Sequence, residues 1–201
     1  NTATLVQDAL DGAAEAGAET ELFNLYDLDF RGCTSCFSCK RIGIPDHRCA
    51  MRDGLTPVVE AARDADAVII GSPIYFMGLT AETEAFLERF LFPYTTYGNG
   101  PTFCKKPVRL AYIYTMNITE GQRKSFDVDF NRFRDFSGAL FRCQPEELYC
   151  YNTWQYSDYA RYEHSCFDME SKRVQKEVQF PLDRQAAREL GSRMAEPFPE
   201  E

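Results

Sequence analysis

The stretch Ala67-Val68-Ile69-Ile70-Gly71-Ser72-Pro73-Ile74-Tyr75-Phe76-Met77-Gly78-Leu79-Thr80 decides how the chain reads. Its first part, Ala67 to Ser72, is a continuous apolar run bounded by polar residues. Such a run is predicted to be a strand buried on both faces of a parallel sheet. Thr80 is predicted to cap a helix that runs to about Leu91, with Phe86, Leu87, Phe90 and Leu91 as its apolar side. The turn between strand and helix therefore lies at the carboxyl end of a strand, where ligands sit in open α/β sheets. Pro73 stiffens that turn, and Gly78 lets the backbone approach a flat ligand closely. Tyr75 and Phe76 offer aromatic faces, and N–H groups near Thr80 face an electron-rich partner. A strand-to-helix turn with no ligand explains the same residues, so position and composition alone leave both readings open.

Working outward, Thr2 to Ala16 reads as a helix, with Leu5, Ala9 and Ala13 beside Val6 and Leu10, and Gly17 as its stop. Thr20 to Leu25 reads as a short strand, and Arg31 to Gly54 as a long cysteine-bearing loop. Thr56 caps a helix with Pro57 at its first position, ending near Arg63. Tyr94 to Lys106 is a loop, Val108 to Thr115 a strand, Lys124 to Phe141 a helix and Glu147 to Asn152 a last strand. Trp154 to Pro181 carries no clear period. Asp183 to Ala195 closes the chain as a helix with Ala187, Leu190 and Met194 on one side, and the tail from Glu196 is expected to fray. This alternation argues for an α/β fold with a parallel sheet and helices on both faces. Such folds open with a strand, and this chain opens with a helix. The first strand and the turn after it are therefore expected to be missing from the sequence.

A length of 201 residues suits a single domain over 1–201, with a C-terminal extension from about 154. The net charge of −9 repels phosphate backbones, which argues against nucleic acid. The apolar stretch from Val68 to Leu79 is too short and broken to span a membrane. With no signal-peptide pattern, the expected compartment is the cytoplasm.

Four of the eight cysteines fall close together as Cys33, Cys36, Cys39 and Cys49, a C-x2-C-x2-C-x9-C spacing. Three thiolates so spaced can wrap one corner of an iron–sulfur cluster and a fourth can close it. Four thiolates also suit tetrahedral Zn²⁺. Reduced thiols packed as small apolar residues, with no metal, are the third reading. His47 lies inside the same loop and reads as a solvated histidine rather than a ligand. Cys104, Cys143, Cys150 and Cys166 have no motif spacing and read as structural. The aromatic residues Tyr114, Tyr149, Tyr151, Trp154, Tyr156, Tyr159 and Tyr162 are expected to form an extra core layer, with a substrate site or subunit interface as the alternative.

The run Gly71-Ser72-Pro73-Ile74-Tyr75-Phe76, with Gly78 and Thr80, resembles the flavin-binding loop of the flavodoxin-like NAD(P)H-dependent FMN reductases, a group that includes iron–sulfur flavoproteins and quinone reductases. Asn1-Thr2 resembles the end of their phosphate-binding loop. The resemblance covers about residues 1–120, and the rest follows by element order. It implies a flavodoxin-like three-layer sandwich with a five-stranded parallel sheet and non-covalent FMN. The phosphate would sit near Asn1 and Thr2, at the head of the first helix. Ser72, Pro73, Ile74, Tyr75, Phe76, Gly78 and Thr80 would hold the ring edge, with Thr115, Met116 and Asn117 on its other side. The resembled iron–sulfur flavoproteins carry their cysteine motif where Cys33, Cys36, Cys39 and Cys49 lie, although their last gap is shorter.

The leading expectation is an FMN-dependent oxidoreductase. It would pass reducing equivalents from NAD(P)H to a quinone, a flavin or another small acceptor, and it would act as a homodimer or tetramer. No side chain is assigned as a catalytic acid or base, because the redox chemistry belongs to the flavin. One alternative is an electron carrier using FMN and a [4Fe–4S] cluster, with ferredoxin as partner. The other is a flavin-free interaction module.

Overall fold

The structure is a computed structural model that describes residues 1–43, 46–98, 100, 102–126 and 131–198. Three strands form its sheet among the described residues: β1 (Ala67–Pro73), β2 (Arg109–Thr115) and β3 (Glu146–Cys150). They are parallel, in the order β1-β2-β3, with Ala67 opposite Arg109 and Ala111 opposite Glu146. The helices are α1 (Thr2–Glu15), α2 (Thr56–Asp64), α3 (Ala81–Leu91), α4 (Glu120–Phe126), α5 (Asn131–Phe141), α6 (Met169–Val174) and α7 (Phe180–Met194).

Alternation along β2 sets the two faces of the sheet. Leu110, Tyr112 and Tyr114 enter one core with Val58 and Val59 of α2, Phe86, Leu87 and Phe90 of α3, and Phe141 of α5. Ala111 and Ile113 enter the other, with Leu5, Val6 and Ala9 of α1, Cys150 of β3, and Ala187, Leu190 and Met194 of α7. Helices therefore cover both faces, as the alternating sequence predicts. Two glycines let α1 and α7 approach closely. A Cβ on Gly191 would stand 1.7 Å from Ala9 O, and one on Gly12 would stand 2.0 Å from Arg188 O. Gly71 does the same for α1 against β1, because a Cβ there would meet Val6 Cγ2 at 2.3 Å.

Several expectations are corrected. Thr20 to Leu25 is not a strand; it ends in a 3-10 turn at Leu25–Asp27, with Asn24 accepting from Tyr26 N–H. In the doubly wound order 2-1-3-4-5 a strand there pairs only with one that precedes the first helix. Among the described residues the segment has no ladder partner, and the sheet has three strands rather than the five expected. Thr56 lies inside α2 rather than capping it; its Oγ1 donates to Met51 O and accepts from Asp53 N–H. The predicted helix from Lys124 to Phe141 is two helices, α4 and α5, and its 127–130 portion lies outside the described residues. α7 starts earlier than predicted, following α6 and a π turn at Gln175–Gln179 within the unassigned stretch. The start of the tail does not fray: Arg109 donates to Glu196 O and Pro197 O at 3.1 and 2.8 Å. No described helix is long and apolar enough to cross a membrane.

Candidate functional site

The carboxyl ends of the three strands and the head of α1 meet on one side of the sheet. Ile74 N–H donates to Thr115 O at 2.9 Å, tying the end of β1 to that of β2. Met116 N–H donates to Cys150 O at 2.9 Å, and Thr153 N–H to Met116 O at 3.0 Å, tying β2 to β3. Thr2 Oγ1 and Thr115 Oγ1 share a hydrogen bond of 2.6 Å, which fixes the head of α1 against the end of β2. Asn1 does not cap α1 with its side chain; its Nδ2 donates to Trp154 O at 2.7 Å. The first turn of α1 holds no acidic residue either. Its N–H groups and the positive end of its dipole thus remain available to an anion.

The loop after β1 divides into a buried base and an exposed tip. Ser72 and Thr80 are buried, and Thr80 N–H donates to Ser72 Oγ at 3.1 Å. Thr80 also caps α3 through Thr83 N–H, as the sequence predicts. Both hydroxyls are spent on shaping the loop. Tyr75 and Gly78 exchange two backbone hydrogen bonds of 2.9 Å around Phe76 and Met77, whose φ values are 49° and 63°. Two adjacent non-glycine residues in the left-handed region carry roughly 1–2 kcal/mol of strain each. The strain holds an aromatic tip in the open, with Phe76 fully exposed and Tyr75 57% exposed. Strained residues and exposed aromatics at the end of a parallel strand make this tip the candidate for ligand contact.

Asn117 and the segment after β3 are held by a residue the sequence reading missed. Lys172 of α6, 1% exposed, donates to Asn117 Oδ1 and, at 2.8 Å, to Thr153 O. Burial pushes its pKa down to about 8, opposed by the nearby Cys166. A lysine in a stretch without period gives no sign of burial, so only the fold reveals it.

The aromatic stretch divides in two. Tyr114, Tyr149 and Tyr151 stack in series at 5.1 and 5.9 Å and pack onto the first core, as expected. Trp154, Tyr156, Tyr159 and Tyr162 instead form a separate group beyond β3, with centroids 4.4–4.9 Å apart. Trp154 joins it to Asn1 at the head of α1.

The cysteine loop lies at the other end of α3. Cys33, Cys36, Cys39 and Cys49 all line one small cavity, together with Glu88, Arg89 and Phe92. α3 clamps both arms of the loop. Glu88 accepts from Cys33 N–H at 3.0 Å. Arg89 Nη1 donates to both oxygens of Asp53 at 2.8 and 2.6 Å and to Arg31 O at 3.1 Å, drawing the loop's two ends together. Burial alone would depress the Arg89 pKa, but Asp53 and Cys49 reverse this and leave it raised. Arg89 sits on the predicted apolar side of α3 between Phe86 and Phe90; a charged residue there was the signal that could have singled it out. The backbone N–H of Ser38 holds the exposed Cys36 thiol below its usual range, and burial pushes Cys39 up. His47 is half-buried rather than solvated: it stacks on Phe103 at 3.7 Å and donates Nδ1–H to Cys39 O.

All eight cysteines are free thiols. Of the four without motif spacing, Cys150 is buried and donates to Asp183 at 2.9 Å, in keeping with a structural part, whereas Cys166 is exposed. Among the described residues no three His, Cys, Asp or Glu side chains converge as a single-ion site. A tetrahedral zinc ion needs its thiolates roughly 3.8 Å apart, as follows from Zn–S bonds of about 2.3 Å. A cubane cluster takes one cysteine on each iron and keeps the sulfurs apart. Four thiols lining one cavity are the donor set that such a cluster takes. A buried cation with open donors on the same wall also suits an anionic cluster, and Arg89 is such a cation: its Nε and Nη2 are buried without a hydrogen-bond partner.

A parallel sheet covered on both faces, with a helix head and strained aromatic loop at its carboxyl edge, defines a flavodoxin-like protein. Residues 1–142 match the family described as NADPH-dependent FMN reductase, and the chain belongs to that family, whose cofactor is FMN. It is 36% identical over 89 residues to an iron-sulfur flavoprotein of Methanocaldococcus jannaschii, a match covering 44% of each chain. It is 29% identical over 102 residues to an iron-sulfur flavoprotein of Archaeoglobus fulgidus, covering 51% of this chain and 43% of that one. The chain thus spans less than half the length of these curated relatives. Among solved structures it resembles an NAD(P)H:quinone oxidoreductase from Methanothermobacter marburgensis, with a TM-score of 0.65 and 14% identity over 100% of this chain and 92% of that one. It also resembles an FMN-dependent NADH-azoreductase from Bacillus anthracis in complex with FMN, with a TM-score of 0.63 and 14% identity over 97% and 91% of the two chains. At such identities the likeness shows the fold.

Proposed function

We propose that the chain is an FMN-dependent oxidoreductase of the iron–sulfur kind, with FMN at the strand ends and a [4Fe–4S] cluster in the cysteine cavity. The observation that carries this reading is the arrangement of α3. Its head is the flavin-loop residue Thr80 and its far end clamps the four-cysteine cavity through Glu88 and Arg89. Nine residues at about 1.5 Å each put the two ends of this support roughly 14 Å apart.

Bound FMN supplies hydride acceptance and one-electron transfer in the same molecule. The chain's own groups do the rest. The head of α1, with Thr2 locked to Thr115, offers N–H donors to the FMN phosphate. Backbone N–H groups of Ile74, Tyr75, Gly78 and Thr80 are engaged within the loop, so the tip at Phe76 and Met77 is what faces the ring. Phe76 and Tyr75 would cover the ring and exclude water from it. Asn117, held by Lys172, flanks the opposite side. Cys33, Cys36, Cys39 and Cys49 would each hold one iron.

Reducing equivalents come from NAD(P)H and leave to a quinone, a flavin or another small acceptor. A ferredoxin-like protein is the one-electron partner. The working unit is a homodimer or tetramer in the cytoplasm, which would shelter the exposed tip at Phe76. The test is anaerobic mixing of FMN-loaded protein with NADPH or NADH while absorbance near ~450 nm is followed, a general estimate for a bound flavin. Bleaching, then recovery on adding a quinone, is expected. A flavin that stays oxidised under both nucleotides would contradict the reductase assignment.

A further inference from the structure

The cysteine cavity has one feature that four ligands do not require. The Arg89 side chain is 1% exposed; its Nη1 is engaged with Asp53 and Arg31 O, and the Cys49 side chain also faces the guanidinium. Nε and Nη2 are buried with no hydrogen-bond partner. Leaving a buried donor unmet costs about 1–3 kcal/mol, and more for a charged group. A folded chain tolerates two such donors on one guanidinium when a further acceptor completes them. Arg89 lines the same cavity as Cys33, Cys36, Cys39 and Cys49. An acceptor placed there must be anionic or sulfur-based to match both the charge and the ring of thiols.

We propose that Arg89 donates Nε–H and Nη2–H to sulfur atoms of the [4Fe–4S] cluster and thereby raises its reduction potential; this rests on the iron–sulfur reading above. Arg89 is a positioning residue here, since it ligates no iron. Adding one electron to the cluster adds one negative charge, with no proton or bond exchanged. A fixed guanidinium with two N–H donors stabilises the reduced cluster more than the oxidised one, and hydrogen bonds to cluster sulfur are an established lever on potential. Asp53 accepts from Nη1 through both carboxylate oxygens, so the guanidinium is held before the cluster arrives.

The test uses the full chain reconstituted without oxygen with ferrous iron and sulfide, as wild type, R89K, R89M and the double variant R89M/D53N. Iron and sulfide per chain, circular dichroism, and the midpoint potential from a dithionite titration followed by electron paramagnetic resonance are read for each. R89M is expected to shift the one-electron equilibrium at least tenfold toward the oxidised cluster, about 59 mV more negative. R89K, with the charge but a single point donor, should fall between. The double variant should keep most of the shift, because the donors rather than a bare Asp53 charge set the potential.

A loaded R89M protein with unchanged potential overturns the role of Arg89 while leaving the cluster in place. Return of the double variant to the wild-type potential also overturns it, by assigning the shift to Asp53. Where R89M does not fold, R89K decides in the same way, and an unchanged potential there overturns the proposal. Wild-type protein that takes up no iron and sulfide overturns the cluster reading and this inference together.

Discussion

Asp53→Asn is the perturbation that tests how the cysteine loop is held. Asp53 accepts both Arg89 Nη1 bonds, at 2.8 and 2.6 Å, and also faces the N–H groups of Arg31 and Leu55. The arginine is 1% exposed and the carboxylate 21%. Removing one partner of a buried pair costs about 3–5 kcal/mol because the other charge is left uncompensated. Asn keeps one acceptor and the site is partly wet, so the lower end, about 3 kcal/mol, applies. With a urea m value of about 2 kcal/mol/M, the midpoint should fall by about 1.5 M. The pH dependence follows from the carboxylate. Burial would raise the Asp53 pKa, but the Arg89 hydrogen bond and those from Arg31 and Leu55 outweigh it and leave it lowered. A depressed carboxylate stabilises above its unfolded pKa, near ~4, and loses that contribution as pH falls through the folded value. The gap between wild type and D53N should therefore be constant from about pH 5 to 8 and narrow progressively as the pH falls below about 4. The assay is urea unfolding followed by far-UV circular dichroism across that range. A midpoint change under about 0.3 M at neutral pH, or a gap that does not narrow as the pH falls below about 4, would refute the clamp.

Gly78→Val should weaken FMN binding at least tenfold in a fluorescence titration while leaving the urea midpoint within about 0.5 M. A Cβ at Gly78 meets only Glu84 Oε1 at 3.7 Å and Tyr75 O at 3.8 Å, so the fold has room and the cost should fall on the ligand. Phe76→Gly should move the two readouts in opposite directions. Relief of the 49° φ stabilises the chain by about 0.5–1 kcal/mol, and loss of the ring lowers FMN affinity. Equal or tighter FMN binding in that variant would remove the tip from the site. Gly191→Ala should lower the thermal midpoint sharply, by about 3 kcal/mol or more in stability, since its Cβ would stand 1.7 Å from Ala9 O. A near-neutral result by calorimetry would mean α1 and α7 do not pack this closely.

The β1 strand, its turn and α3 were legible because a buried parallel strand is a continuous apolar run and Thr80 is a strong capping residue. β2 carries Tyr112, Ile113, Tyr114 and Thr115, strand-favouring types, whereas β3 has only Leu148 and Tyr149 and followed from its place in the alternation. The segment from Thr20 to Leu25 has strand-like residues but no neighbour to pair with, and periodicity carries no information about the partner. Thr2, Thr115 and Asn117 were singled out through the family resemblance, and the fold brings Thr2 to Thr115 across the sheet. Ser72 and Thr80 lie in the same loop as Tyr75 and Phe76. Only coordinates separate the buried hydroxyls that shape the loop from the rings that face outward. Arg89 and Lys172 were missed for one reason. Each is a cation whose partners lie far off in sequence, Asp53 for one, Asn117 and Thr153 for the other.

The central claim is that one chain holds a flavin and a cluster at the two ends of α3. The measurement that tests it most directly is a joint assay of FMN, iron and acid-labile sulfide on protein purified without oxygen. The account predicts about one FMN and about four irons with four sulfides per chain, the content of one [4Fe–4S] centre. Flavin without iron, in protein whose four loop thiols all react with a thiol reagent, would contradict it.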